Sequence, residues 1–83
     1  MQKDEIIKII NNFLVEEFEI EESKLKPEAL LTNDLGLESL DFVDVAVVIE
    51  KEFGFKVKGE DMQNVRSLND LYDYIFHYLN PNN

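Results

Sequence analysis

The chain is 83 residues long, 45% apolar, and carries eighteen Asp and Glu against eight Lys and Arg, a net charge of −10. That length suits one small domain, residues 1–83, without a second core or a large cavity. The charge repels phosphate backbones and anionic bilayers, so neither nucleic acid nor membrane insertion is expected, and it favours partners that present Lys and Arg.

There is no cysteine, hence no disulfide framework, thiolate nucleophile or Cys-based zinc site. The opening MQKDEIIKII lacks the long apolar core of a signal peptide, and no run reaches bilayer length. A cytoplasmic location is the default expectation.

From Lys3 to Phe18, apolar residues at Ile6, Ile7, Ile9, Ile10, Phe13, Leu14 and Phe18 form a helical stripe and predict helix one. The next stretch, EIEESKLKPEALLTND, cannot be a continuous helix because of Pro27. It reads as a long loop anchored by Ile20, Leu25, Leu30 and Leu31, and loops of that length tend to be functional or tied down.

Ser39 to Phe53 is too long for an ordinary strand and lacks two-residue alternation, so its β-branched run is assigned to helix two. Phe42, Val45, Ala46, Ile49 and Phe53 make the inward stripe. Gly54 ends the helix, where positive φ is useful. Residues 60–65, EDMQNV, suffice for one or two helical turns. Ser67 and Asp70 then have capping-box spacing, and Leu68, Leu71, Tyr72, Ile75 and Leu79 form the stripe of a last helix, with Pro81 preventing continuation and residues 79–83 expected as a flexible tail. The expected fold is all-α: a small four-helix bundle, three longer helices and one short, with a long loop between helices one and two.

Ser39 stands between Glu38 and Asp41 at the start of helix two. On local physics it reads as an N-cap, with acids in the first turn complementing the helix dipole. A nucleophilic role requires a base within reach. The only histidine, His77, lies in the last helix among aromatic and apolar residues, so no catalytic residue is assigned. The remaining reading is an acceptor that another enzyme modifies.

The stretch DLGLESLDFVDVAVVIEKEFG resembles the acyl carrier proteins, whose signature is Leu-Gly, a short spacer, Asp-Ser-Leu and an amphipathic helix. The resemblance covers nearly the whole chain, with Leu35, Gly36, Ser39 and Leu40 at its centre. It implies that Ser39 carries 4′-phosphopantetheine, attached from coenzyme A by a phosphopantetheinyl transferase. Acyl groups would travel as thioesters on the arm's own sulfur, so a cysteine-free chain is no obstacle. It implies a monomeric carrier that catalyses nothing and presents its cargo to acyl-transferring, condensing and reducing enzymes of fatty-acid or polyketide type. Where the family usually has Asp before the serine, this chain has Glu38.

A partner face is expected around that serine. Leu40, Val43 and Val47 follow Ser39 at helical spacing, with Glu38, Asp41, Asp44 and Glu50 beside them. The family presents such a face to basic patches on partner enzymes, and Lys51 stands where the family commonly has an acid. The alternative is a small acidic interaction module in which Ser39 is only a cap and helix two docks a basic partner; a peptidyl or aminoacyl carrier is a further one. The aliphatic residues at 45 to 49, with Phe13, Leu14, Tyr72 and Ile75, read first as an ordinary core; the resemblance implies a core that parts between helices to hold an acyl chain.

The acidic run at residues 16–22 is read as a solvated helix end, and no metal site is assigned. Screening should nevertheless stabilise so charged a chain. Salt or Mg²⁺ should raise the melting temperature, and a value that stays flat across a salt titration would exclude this effect.

Overall fold

The structure is a computed structural model, and it describes residues 1–81. Four α-helices follow one another, α1 Lys3–Phe18, α2 Ser39–Phe53, α3 Gly59–Met62 and α4 Leu68–Leu79, with a 3₁₀ turn at Glu22–Lys24. The expected all-α bundle and its long first loop are present. The boundaries of α1 and α2 coincide with those read from the hydrophobic periodicity.

Local chemistry explains the helix ends. The Gln2 N–H donates to the Glu5 carboxylate at 3.0 Å, and Asp4 and Glu5 place negative charge at the positive end of the α1 dipole. α1 stops at Glu19, held left-handed at φ 54°. A side chain there costs about 1–2 kcal/mol. The compensation is a Schellman-like closure in which the Ile20 N–H reaches the Leu14 carbonyl at 3.3 Å while Ile20 itself is buried. Gly54 ends α2 at φ 77° as expected.

α4 opens with the predicted reciprocal cap. The Asp70 N–H donates to Ser67 Oγ at 3.1 Å, and the Ser67 N–H donates to Asp70 Oδ2 at 3.1 Å. The backbone N–H groups of Ser67 and Arg66 hold the Asp70 carboxyl below its ordinary pKa. A depressed carboxyl adds stability that is complete above the unfolded value and is lost as pH falls through the folded one. Chemical denaturation should therefore show a stability gap between the wild type and Asp70→Asn that is widest near neutrality and closes in the acid range below the ordinary carboxylate pKa. A gap independent of pH would contradict the charged cap.

α4 is the hub, packing against both α1 and α2. Ile6, Ile10 and Leu14 from α1, Val45 and Ile49 from α2, and Leu68, Leu71 and Ile75 from α4 are each no more than 1% exposed. The Tyr72 ring is buried with them, and its hydroxyl donates to Asn11 Oδ1 on α1. Burial, only partly offset by that bond, pushes the Tyr72 pKa up to about 12. Lys3 Nζ pairs with Asp73 at 2.6 Å and donates to Asn69 Oδ1 at 3.1 Å, tying the start of α1 to α4. It is the only ion pair among the described residues.

The long loop is tied down rather than free. Its carbonyls serve the first amides of α4, with Leu68 N–H to Ala29 at 2.8 Å and Asn69 N–H to Pro27 at 2.9 Å, and the Leu31 N–H returns to the Arg66 carbonyl at 2.9 Å. Ile20, Ala29, Leu31, Leu35 and Leu37 are buried, whereas Leu30, expected as an anchor, is 38% exposed. Its N–H is engaged by Asp34 Oδ2 at 2.7 Å, in a turn that directs Leu31 inward instead. At the other end, Leu79 closes α4 and the Asn80 amide donates to the Phe76 carbonyl at 3.0 Å. The rest of the expected tail, residues 82 and 83, lies outside the described residues.

Candidate functional site

The approach to Ser39 begins with Gly36, whose φ of 74° closes the turn that follows Leu31. The Gly36 N–H donates to the Thr32 carbonyl at 3.1 Å and the Leu37 N–H to the Leu31 carbonyl at 3.0 Å. Leu35 and Leu37 on either side of the glycine are buried. These two apolar pins fix where the chain leaves the loop, and Glu38 and Ser39 emerge on the surface immediately after them.

Ser39 is not the N-cap. It is the first residue of α2, and Glu38, extended at φ −105° and ψ 172°, holds the cap position. The reciprocal partner is Asp41, whose Oδ2 accepts the Glu38 N–H at 2.8 Å. The Glu38 carbonyl in turn accepts the N–H groups of Asp41 at 2.9 Å and Phe42 at 3.3 Å. Capping is thus carried out by the acids that flank the serine. The Ser39 hydroxyl is exposed and makes no hydrogen bond among the described residues, and the N–H groups of Ser39 and Leu40 are likewise unengaged there.

This arrangement fits a phosphodiester joined through Ser39 Oγ. Two open amides at the positive end of a 15-residue helix suit a phosphate. The opposing effect is repulsion from Glu38 and Asp41, which water screens at so exposed a position.

The residues expected beside the serine form one outward face. Leu40 is 81% exposed, Val43 59% and Val47 55%, while Val45, Ile49 and Phe53 on the opposite side of α2 are buried. Asp44 and Glu50 are exposed on the same helix, and Asp41 is partly so. Three large apolar side chains thus lie exposed along one side of an acidic helix. His77 is exposed on α4, stacked edge-on near Phe76.

The aliphatic residues of α2 divide, as expected, between an ordinary packed core and the outward face. Val47 points outward, and Val45, Ile49, Leu14, Tyr72 and Ile75 are closely buried in the core. An open apolar space lies between the loop, α2 and the end of α3 with the segment that follows it. It is a cleft of about 450 Å³ whose apolar lining is Leu30, Leu31, Phe42, Met62 and Val65. Only Phe42 comes from helix two, one turn beyond Ser39. Pattern reading could not find it, because a cleft made by a loop and a four-residue helix has no periodic signature.

The short helix α3 beside it is tied to α4 by a side-chain hydrogen bond. Tyr74 on α4 donates its hydroxyl to Asp61 Oδ2 at 3.1 Å, and Phe55 stacks on Tyr78 at 4.0 Å below it. Burial first, then the Asp61 carboxylate, raise the Tyr74 pKa.

Residues 8–75 match the family described as "Phosphopantetheine attachment site". The chain is 36% identical over 75 residues to the acyl carrier protein of Coprothermobacter proteolyticus, covering 90% of this chain and 92% of that one. It is 36% identical over 73 residues to the acyl carrier protein of Thermotoga maritima, covering 88% and 90% respectively. Acyl carrier protein 2, mitochondrial, of Arabidopsis thaliana is 35% identical over 72 residues, which are 87% of this chain and 54% of that one.

Proposed function

The chain belongs to the acyl carrier protein family, whose prosthetic group is 4′-phosphopantetheine, and from that membership we propose that Ser39 is the attachment residue and that the protein shuttles acyl groups for fatty-acid or polyketide-type synthesis. The observation that supports this most is the division of labour at the start of α2. Glu38 and Asp41 complete the cap, leaving a serine whose hydroxyl is exposed and without a structural task. When bound, the arm supplies the thiol on which acyl groups are carried.

The chain's own residues then have separate duties. Gly36, Leu35 and Leu37 present the serine, and the Ser39 and Leu40 amides in the first turn of α2 would hold the phosphate at the root of the arm. Leu40, Val43 and Val47 give partners an apolar contact, and Glu38, Asp41, Asp44 and Glu50 surround it with negative charge. A basic phosphopantetheinyl transferase and basic acyl-handling enzymes are the partners this face suits. We take the single domain, residues 1–83, to work as a monomer in an aqueous compartment; no described helix is long and apolar enough to cross a membrane.

Incubation with coenzyme A, Mg²⁺ and a broad-specificity transferase, followed by intact mass, tests the reading. The wild type should gain one phosphopantetheinyl group, and no gain would defeat it. The net charge of −10 supports fatty-acid or polyketide partners over peptide synthetases. Reversing one charge on the face, Asp44→Lys, should slow modification roughly tenfold at low salt, an effect that fades as salt is added because it acts on association. Unchanged low-salt kinetics would remove this face from the mechanism.

A further inference from the structure

The cleft beside Phe42 has two kinds of wall. Its interior is apolar, but its exposed margin is Thr32, Asn33, Gln63 and Arg66. Arg66 is the only arginine in the chain. Its backbone is fixed on both sides, the N–H on Asp70 Oδ2 at 3.2 Å and the carbonyl on the Leu31 N–H at 2.9 Å. Its guanidinium has no ion pair among the described residues. The neighbouring Asp70 carboxylate takes the Ser67 and Arg66 backbone amides on Oδ2, and the charge of Arg66 helps to lower its pKa without forming an ion pair.

The margin is therefore rich in donors. Thr32 donates to Asn33 Oδ1 at 3.2 Å, which uses the amide oxygen of Asn33 and turns its NH₂ group free. Arg66 contributes five N–H groups and Gln63 an amide. A donor-rich rim around an apolar interior suits a ligand that is mostly hydrocarbon and carries an acceptor oxygen near the mouth. A carboxylate would meet that requirement but would also meet the field of a chain at −10, with Asp34, Asp61 and Asp70 close in sequence to the rim. A ketone or hydroxyl oxygen avoids the repulsion.

We propose that this cleft sorts the acyl groups carried at Ser39 by an oxygen function, accepting chains with an oxo or hydroxy group close to the thioester over saturated chains, with Arg66 as the specificity-determining donor. The inference rests on the carrier reading of Ser39. A chain entering from solvent puts its methyl end among Leu31, Phe42, Met62 and Val65, so the carbon atoms next to the thioester stay at the polar margin. The volume of about 450 Å³ lies within the ordinary range for small-molecule sites.

The test loads the full chain with hydrolysis-stable amide analogues of hexanoyl and 3-oxohexanoyl pantetheine, checked by intact mass before melting. The 3-oxo form should melt roughly 4 °C above the hexanoyl form. Arg66→Met should erase that difference without altering the loaded mass, and Arg66→Lys should retain part of it. In the wild type, the side-chain amide resonances of Asn33 and Gln63 should shift between the two forms, a readout that does not depend on the variants folding. Equal melting temperatures, a difference that survives Arg66→Met, or a larger gain from a carboxylate-ended chain would overturn the proposal. Absence of the added mass would instead defeat the carrier reading itself.

Discussion

Ser39→Ala should take up no phosphopantetheine while melting within about 2 °C of the wild type. The first half follows from removing the oxygen through which the proposed phosphoester would form. The second follows from the cap. Had Ser39 capped α2, its loss would cost about 0.5–2 kcal/mol, and a domain of this size loses roughly 4–8 °C for each kcal/mol. The cap bond belongs to Glu38 and Asp41, and alanine is a strong helix former. One variant thus separates the two readings of this serine: lost loading with unchanged melting supports the acceptor, and a drop of several degrees would restore the cap. Asp41→Ala is the complement. It should cost about 1 kcal/mol through the lost cap.

Ile75→Ala should be the most damaging single truncation. Ile75 is fully buried in α4, the helix that packs against both α1 and α2. Cutting an isoleucine back to alanine in such a site costs about 2–5 kcal/mol, whereas a domain of this length holds only about 4 to 12 kcal/mol altogether. A melting temperature lower by roughly 10–20 °C is expected. The control is Leu40→Ala on the outward face, 81% exposed, which should change stability by less than about 0.5 kcal/mol. If the two variants melted together, the inward and outward assignments along the chain would be wrong.

Much of this was legible in the sequence wherever a local rule and the packing agreed. The stripes of α1, α2 and α4 and the Ser67–Asp70 cap depend on residues three or four apart, and each is present as read. The outward placement of Leu40, Val43 and Val47 was legible for the same reason, since the opposite face already supplied a core. Ser39 was misplaced by one position because serine is a favoured cap, and what overrode that preference was the Asp41 carboxylate reaching the Glu38 amide. Leu30 was misread because the loop's inward direction is set by its turn on Asp34 and by bonds to Arg66 and Leu68, which are distant in sequence. Glu19 in a left-handed conformation has no composition cue, being neither Gly nor Asn.

The hydrogen bond from the Leu31 amide to the Arg66 carbonyl joins the two walls of the cleft at one end. On the other side Asp61, next to Met62, is held to α4 by a phenolic hydrogen bond from Tyr74. One edge of the cleft is therefore set by backbone hydrogen bonding and the other by side chains, so substitutions can reshape the α3 side alone.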